Sequence, residues 1–371
     1  MSIRAWEYLD EYSAERSEIL AAVDRVFASG TLILGPSVRR FEAEFSAYCG
    51  VEHGIGVDNA TNGIALALKA LGVGAGDEVI TVANTAVPTA AAIVQAGAVP
   101  RFVDIDFATC LMDARLVEAA ITPRTRALLP VHLYGLCVDM DAIGAIARRR
   151  KLPVIEDCAQ SHGAVQWGYK AGSRSDIGVF SFYPTKPLGA YGDGGMIVTG
   201  DSHLAARLRS LRFYGMNGSY YSEEPGYNSR LDEVQAEILR CKLGHLDEYL
   251  RLRRNWAARY GRILAGTSLR LPVVPEDNEH AYHLYVVRHP DRDRIVAELK
   301  KRDIHLAVHY PYPIHTMRGF AHLGGAAGDL PHTETHARQV FSLPLYPTLT
   351  EEKQDAVCQA LGEILREPVG L

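Results

Sequence analysis

Two stretches of the chain carry residue types that do chemistry together. In Val154-Ile-Glu-Asp-Cys-Ala-Gln-Ser-His162 an apolar strand runs into two carboxylates, Glu156 and Asp157, at the edge where an α/β sheet places its ligands. In Ser181-Phe-Tyr-Pro-Thr-Lys-Pro-Leu-Gly-Ala-Tyr-Gly-Asp-Gly-Gly195 a second strand ends at Ser181 and Phe182, and Lys186 follows in a loop rich in proline and glycine. Pro187 keeps Lys186 out of helical geometry, and the glycines let backbone approach a ligand closely. A carboxylate behind a pocket and a lysine in front of it meet the needs of pyridoxal phosphate chemistry. That cofactor is an electron sink only while its ring nitrogen stays protonated, which a buried aspartate secures through a charge-assisted hydrogen bond. The lysine forms the internal Schiff base and, once displaced by substrate, moves a proton. Taken singly, Asp157 is an ordinary strand-end acid and Lys186 a surface lysine.

A third element adds weight. Asp58-Asn-Ala-Thr-Asn-Gly-Ile-Ala-Leu-Ala-Leu68 sets small polar residues directly before an Ala/Leu helix, an N-cap signature. Such a helix start, with Asn59, the Thr61 hydroxyl and free backbone amides, can bind a phosphate dianion, although as pure capping it is common. Ser181 offers a second hydroxyl to the same phosphate.

These residues need a sheet to hold them. From about residue 50 to 200, β-branched runs at 79–82, 98–104, 126–133, 153–158, 177–182 and 196–199 alternate with helical patterns at 64–71 and 142–150. That rhythm predicts a mostly parallel sheet with ligands beyond its carboxyl ends. The stretch 231–264 has helical periodicity with one glycine and reads as one long or broken helix bridging two domains. Beyond it, a strand at 283–288, a helix at 292–302, an extended segment at 305–310 and a helix at 351–366 predict a smaller α+β domain. The expected division is a large domain over 1–240 and a bridging helix with small C-terminal domain over 241–371.

The chain has 371 residues with 47% hydrophobic and 22% charged residues and a formal net charge of −5, a globular composition that excludes disorder as the main state. The acidic balance speaks against a sequence-independent nucleic-acid binder. Six cysteines without a C-x-x-C pair give no zinc site and no disulfide framework. The N-terminal segment carries acidic residues, and no apolar run is long enough to span a bilayer, so no membrane partner and a cytoplasmic location are expected.

The sequence resembles the DegT/StrS family of pyridoxal-phosphate-dependent sugar-nucleotide aminotransferases. The segments that carry the likeness, in chain order, are GPSVRRFEAEF, DNATNG, GDEVI, PVHLYG, VIEDCAQSHGA, SFYPTKPLGAYGDGG, YNSRLDEVQA, AYHLYVVR, HYPYPIH and SLPLYP. The resemblance implies an aspartate-aminotransferase-like (fold type I) large domain. It implies Lys186 as the Schiff-base lysine, Asp157 as partner of the pyridine nitrogen and Gln160 near the cofactor's phenolic oxygen. Asn59, Thr61, Asn62 and Ser181 would hold the phosphate, with Asn228 reaching the site of the neighbouring subunit in a homodimer. Read without the family, Asn228 is a turn residue. The chain departs from the pattern at Ala86, where many members have an aromatic residue stacking on the cofactor, and near Ser219, where many have a basic one.

HYPYPIH sets two imidazoles and two phenols in a proline-braced segment, so His309, Tyr310 and His315 join Tyr183, Tyr221 and Arg230 as candidates for the substrate's sugar and diphosphate. NTAVPT, YGM and YNSRLDE look most like the branch that aminates C3 of dTDP-3-keto-6-deoxyhexoses, with L-glutamate as donor. Amination at C4 is the competing reading. A non-catalytic regulatory role and a dehydratase with histidine in place of the lysine are the others, and Lys186 speaks against the last.

Overall fold

The computed structural model describes residues 2 to 366. Its centre is a sheet in two parts. Strands His53–Val57, Gly195–Thr199, Ile177–Ser181 and Ile155–Asp157 lie side by side, as do Val99–Val103, Glu78–Val82 and Thr125–Leu128. Single parallel bridges, Leu128 to Val154 and Val131 to Asp157, join the two parts. Gly195–Thr199 runs antiparallel to both its neighbours, and the other strands share one direction. The sheet is therefore mostly parallel, as the alternating pattern predicts.

The stretch expected as strand over 126–133 is strand only over Thr125–Leu128. Pro130 has no N–H to give a ladder, and pairing resumes at Val131 as one bridge to Asp157. Strand His53–Val57 has no counterpart in the sequence reading, because Gly54 and Gly56 dilute its β-forming composition. A Cβ on Gly54 would collide with the Glu42 carbonyl, so the glycine lets the helix Pro36–Cys49 lie against this strand.

Helix Ala60–Ala70 starts at Asn59, whose side chain accepts from the Asn62 N–H at 2.8 Å, and it buries Ile64, Leu66, Ala67 and Leu68 at helical spacing. The bridging stretch forms one unbroken helix, Glu233–Ile263; Gly244 costs about 1 kcal/mol relative to alanine, too little to break a helix of 31 residues. It packs on helices Leu9–Ser29 and Pro36–Cys49.

A separate core gathers Ala257, Tyr260, Tyr285, Val287, Ile295, Leu299, Phe341, Tyr346, Leu361 and Ile364, and Ile3 joins it. Strand Tyr285–Arg288 pairs antiparallel with Val340–Leu343, and Ile3–Arg4 pairs parallel with Ile304–His305. The extended segment expected at 305–310 is thus strand only at its start. Among the described residues, no helix is long and apolar enough to cross a membrane.

Candidate active site

The carboxyl ends of the strands converge on a cavity of about 430 Å³, within the ~300–1,000 Å³ range of small-molecule sites. Strand Ile155–Asp157 ends with two acids that point to opposite faces, as consecutive strand residues must. Asp157 lines the cavity, whereas Glu156 lies against His132 at 2.7 Å.

Glu156 also accepts from the Gly172 N–H at 2.9 Å, the Arg174 N–H at 3.0 Å and the Ser175 hydroxyl at 2.7 Å. Burial works to raise its pKa, but His132 and these donors outweigh it and hold the carboxyl below the ordinary value. Glu156, His132 and Cys158 come close enough to suit a metal ion. With its oxygens so fully occupied, Glu156 instead reads as an internal strut.

Asp157 is 4% exposed. Its Oδ2 accepts from the Thr89 hydroxyl at 2.8 Å and its Oδ1 from the Ala159 N–H at 3.1 Å. Burial pushes its pKa up, while Thr89, the Ala159 N–H and the Lys186 charge pull it back. Lys186 lines the same cavity. Desolvation lowers its ammonium to about 8 against the upward pull of Asp157, so near neutrality a fraction of the amine is free to act as a nucleophile.

Asn59, Thr61 and Ser181 line the cavity beside the N-terminus of helix Ala60–Ala70. Gln160 is held between two partners, accepting from the Tyr134 N–H at 2.7 Å and donating to the Tyr310 hydroxyl at 3.0 Å. Tyr183, His309, Tyr310 and Ala86 also line the cavity.

Five candidates lie elsewhere. Asn62 gives its N–H to Asn59 and its side-chain amide to Asp58 at 2.7 Å, and its carbonyl oxygen accepts from Gln95 at 3.1 Å. It ties the helix start together instead of facing the cavity, which corrects its expected place beside the phosphate. His315 is 3% exposed and pairs with Glu334 at 3.2 Å, lining a separate pocket. The backbone past Pro313 enters a short helical turn, Ile314–Thr316, that carries His315 away from His309. Tyr221 is 67% exposed and Asn228 lies on the surface bridged to Phe213. The Arg230 guanidinium lies over the Phe213 and Tyr214 rings at 5.4 and 5.7 Å. None of these three lines this chain's own cavity.

The sequence reading missed Thr85, Thr89, Thr185, Asp193 and His283, which also line the cavity. The Thr85 and Thr89 hydroxyls lie 3.0 Å apart, Thr85 just before the helix Val87–Gln95 and Thr89 in its first turn, a pairing that the local sequence does not signal.

The residues present fit pyridoxal phosphate. A buried carboxylate with a raised pKa faces the cavity and calls for a cation such as a ring N–H, a desolvated lysine stands across from it, and hydroxyls with a helix N-terminus answer a phosphate. With the mostly parallel sheet, this is the fold and site of a fold type I pyridoxal-phosphate aminotransferase. The sequence matches the DegT/DnrJ/EryC1/StrS aminotransferase family over residues 13–362, and the chain belongs to that family.

One relative, the dTDP-3-amino-3,4,6-trideoxy-alpha-D-glucose transaminase of Micromonospora megalomicea subsp. nigra, is 56% identical over 98% of this chain and 99% of its own. Another, the pleiotropic regulatory protein of Geobacillus stearothermophilus, is 45% identical over 99% of both chains. Among solved structures, S. venezuelae DesV superposes with a TM-score of 0.97 at 44% identity, covering 99% of both chains. NtdA from Bacillus subtilis with bound cofactor PMP gives a TM-score of 0.90 at 35% identity, covering 95% of this chain and 82% of its own.

Proposed function

We propose that this protein transfers the amino group of L-glutamate to C3 of a dTDP-3-keto-6-deoxyhexose. The single observation that carries the reading is Lys186 and Asp157 facing one cavity, the acid held from behind by Thr89. When bound, pyridoxal phosphate supplies the electron sink that lets a proton leave the amino-bearing carbon.

The chain does the rest. Asp157, buried and fixed by two donors, keeps its carboxylate aimed at the ring nitrogen and stabilises positive charge there. Lys186 anchors the cofactor covalently and, when released, takes and returns the proton at Nζ. Thr61, Ser181 and the amides at the start of helix Ala60–Ala70 bind phosphate, with Asn59 shaping that helix start. Gln160 presents its amide toward the phenolic oxygen, its own oxygen being taken by Tyr134. Tyr183, His309 and Tyr310 contact the sugar.

The active unit is a homodimer in which Asn228, together with Tyr221 and Arg230 of the same exposed segment, serves the neighbouring site; their absence from their own cavity supports this. A division into domains 1–240 and 241–371 places the cofactor on the first and closes the cavity with Tyr310 from the second. Six free cysteines fit a reducing cytoplasm.

The name of the Micromonospora relative supports the C3 position. Amination at C4 uses the same residues and is the second reading. The name of the Geobacillus relative keeps regulation in view, against which stands the retention of Lys186, Asp157, Gln160 and Ser181 in one cavity. Incubation with glutamate and a panel of 3-keto and 4-keto dTDP-sugars, followed by 2-oxoglutarate release, tests all three. Turnover of 3-keto sugars alone is the expected result, turnover of 4-keto sugars moves the chemistry to C4, and no turnover of either with bound cofactor leaves the regulatory reading.

A further inference from the structure

Lys186 shares its cavity with His283, a residue with no part in the roles above. The imidazole is 7% exposed, and its Nδ1 has no hydrogen-bond partner among the described residues. Burying an unpaired polar atom is costly, so the ring's place there needs a cause.

The fold invests in putting it there. A Cβ on Gly135 would sit 2.9 Å from the Tyr282 nitrogen and 3.1 Å from the His283 nitrogen, so the glycine admits this segment to the cavity wall. Tyr282, the residue before, is held at φ 49° in the left-handed region. The buried Arg253 donates to the carbonyls of Tyr282 at 3.2 Å and Leu345 at 3.0 Å, tying the segment that precedes strand Tyr285–Arg288 in place. Backbone strain of this kind persists only where the surroundings over-determine it, and it clusters at active sites. Lys186, Arg253, His309 and His162 act on the ring most strongly, and the carboxylates of Asp157 and Asp193 line the same cavity. Burial first, and the Lys186 and Arg253 charges after it, hold its pKa well below the ordinary value. The ring is therefore neutral and has a nitrogen free to accept a hydrogen bond.

We propose that His283 is a positioning residue for Lys186, its neutral imidazole accepting a hydrogen bond from Nζ once the amine is released. The proton stays on Nζ, and the amine lone pair is turned toward the carbon that gives up its own proton. This rests on the reading of Lys186 as the reacting lysine.

The test uses the holoenzyme with H283M, which removes the acceptor, and H283Q, which restores one. Borohydride labelling and peptide mapping come first, and a label on Lys186 in native and variant enzyme is expected. A label on another lysine overturns the reading of the site itself. With Lys186 labelled, the half-reaction with L-glutamate is followed by absorbance in a single turnover, using protiated and α-deuterated donor. H283M slows it about 10- to 100-fold, the worth of one hydrogen bond to a charged or reacting group. The isotope effect grows, apparent glutamate affinity is unchanged, and H283Q recovers most of the rate.

A rate within about twofold of native, a loss confined to glutamate affinity, or H283Q as slow as H283M overturns the proposal. Should H283M fail to fold, native holoenzyme labelled with ¹⁵N-histidine decides the matter. The His283 ring resonance moves when glutamate frees Lys186, and an unmoved resonance refutes the contact.

Discussion

The Thr89 hydroxyl donates to Asp157 Oδ2 at 2.8 Å from the first turn of the helix Val87–Gln95. The acid's orientation therefore depends on a residue 68 positions earlier in the chain, seated on a helix that begins just after Ala86. Thr89→Val keeps the shape and removes the donor. We expect turnover to fall about 10-fold, the worth of one hydrogen bond to a carboxylate, with the fold intact. Asp157→Asn, which cannot stabilise a ring charge, should fall further, on the order of 10²- to 10⁴-fold, as for loss of an acid–base function. Steady-state kinetics check the order, and Thr89→Val at least as damaging as Asp157→Asn would refute it.

Lys186, lowered to about 8, should stand apart from the surface lysines. In protein stripped of cofactor, labelling of its amine by an acylating reagent should rise with a midpoint near pH 8, as the desolvated ammonium loses its proton. The effect on stability has the same origin. The folded value lies below the ordinary 10.5, so between about 8 and 10.5 the unfolded chain binds the extra proton and this group's contribution to stability rises with pH. A labelling midpoint at the ordinary lysine value would show that the amine is solvated.

Glu156 should matter for stability alone. Deleting a buried carboxylate strands the donors it satisfied, the His132 ring, the Gly172 and Arg174 N–H groups and the Ser175 hydroxyl, at about 1–3 kcal/mol for each donor left unpaired, so Glu156→Ala should unfold at clearly lower denaturant. Because its folded pKa is held below the ordinary carboxylate value, its contribution is present above that value and disappears as pH falls through the folded one. Urea midpoints for native and variant protein at neutral and acid pH should converge as the pH drops, and a constant gap would exclude this linkage.

If Asn228 serves the neighbouring site, a mixed dimer of Lys186→Ala and Asn228→Ala chains regains one site that carries neither lesion. Reassembled heterodimers should then be more active than either parent. No recovery in verified heterodimers would return Asn228 to the turn-residue role.

The chemistry was legible where local sequence positions it. Asp157, Ser181 and Lys186 sit at strand ends or in loops whose patterns are local, and the structure brings all three to one cavity. Thr89 and His283 were not legible, because each matters through contacts with distant parts of the chain. His315 misled because two histidines in one short motif imply a shared destination. A single helical turn, Ile314–Thr316, sends them apart. Asn62 misled for a related reason: a polar residue at a helix start serves a ligand or its own cap equally well, and only the contacts with Asp58 and Gln95 decide.

Ile3 pairs with Ile304 and is buried among residues from Ala257 onward, which has a consequence for biosynthesis. A ribosome releases this N-terminal strand long before its partner exists. Closing so long a loop adds only a slowly growing entropic cost, but it imposes an order of events. The sheet that carries Asp157 and Lys186 has all its strands once residue 199 has emerged, whereas Ile3 waits, exposed, for the last third of the chain. The N-terminal strand therefore cannot dock until residue 304 has been made, well after the sheet that carries the site has all its strands.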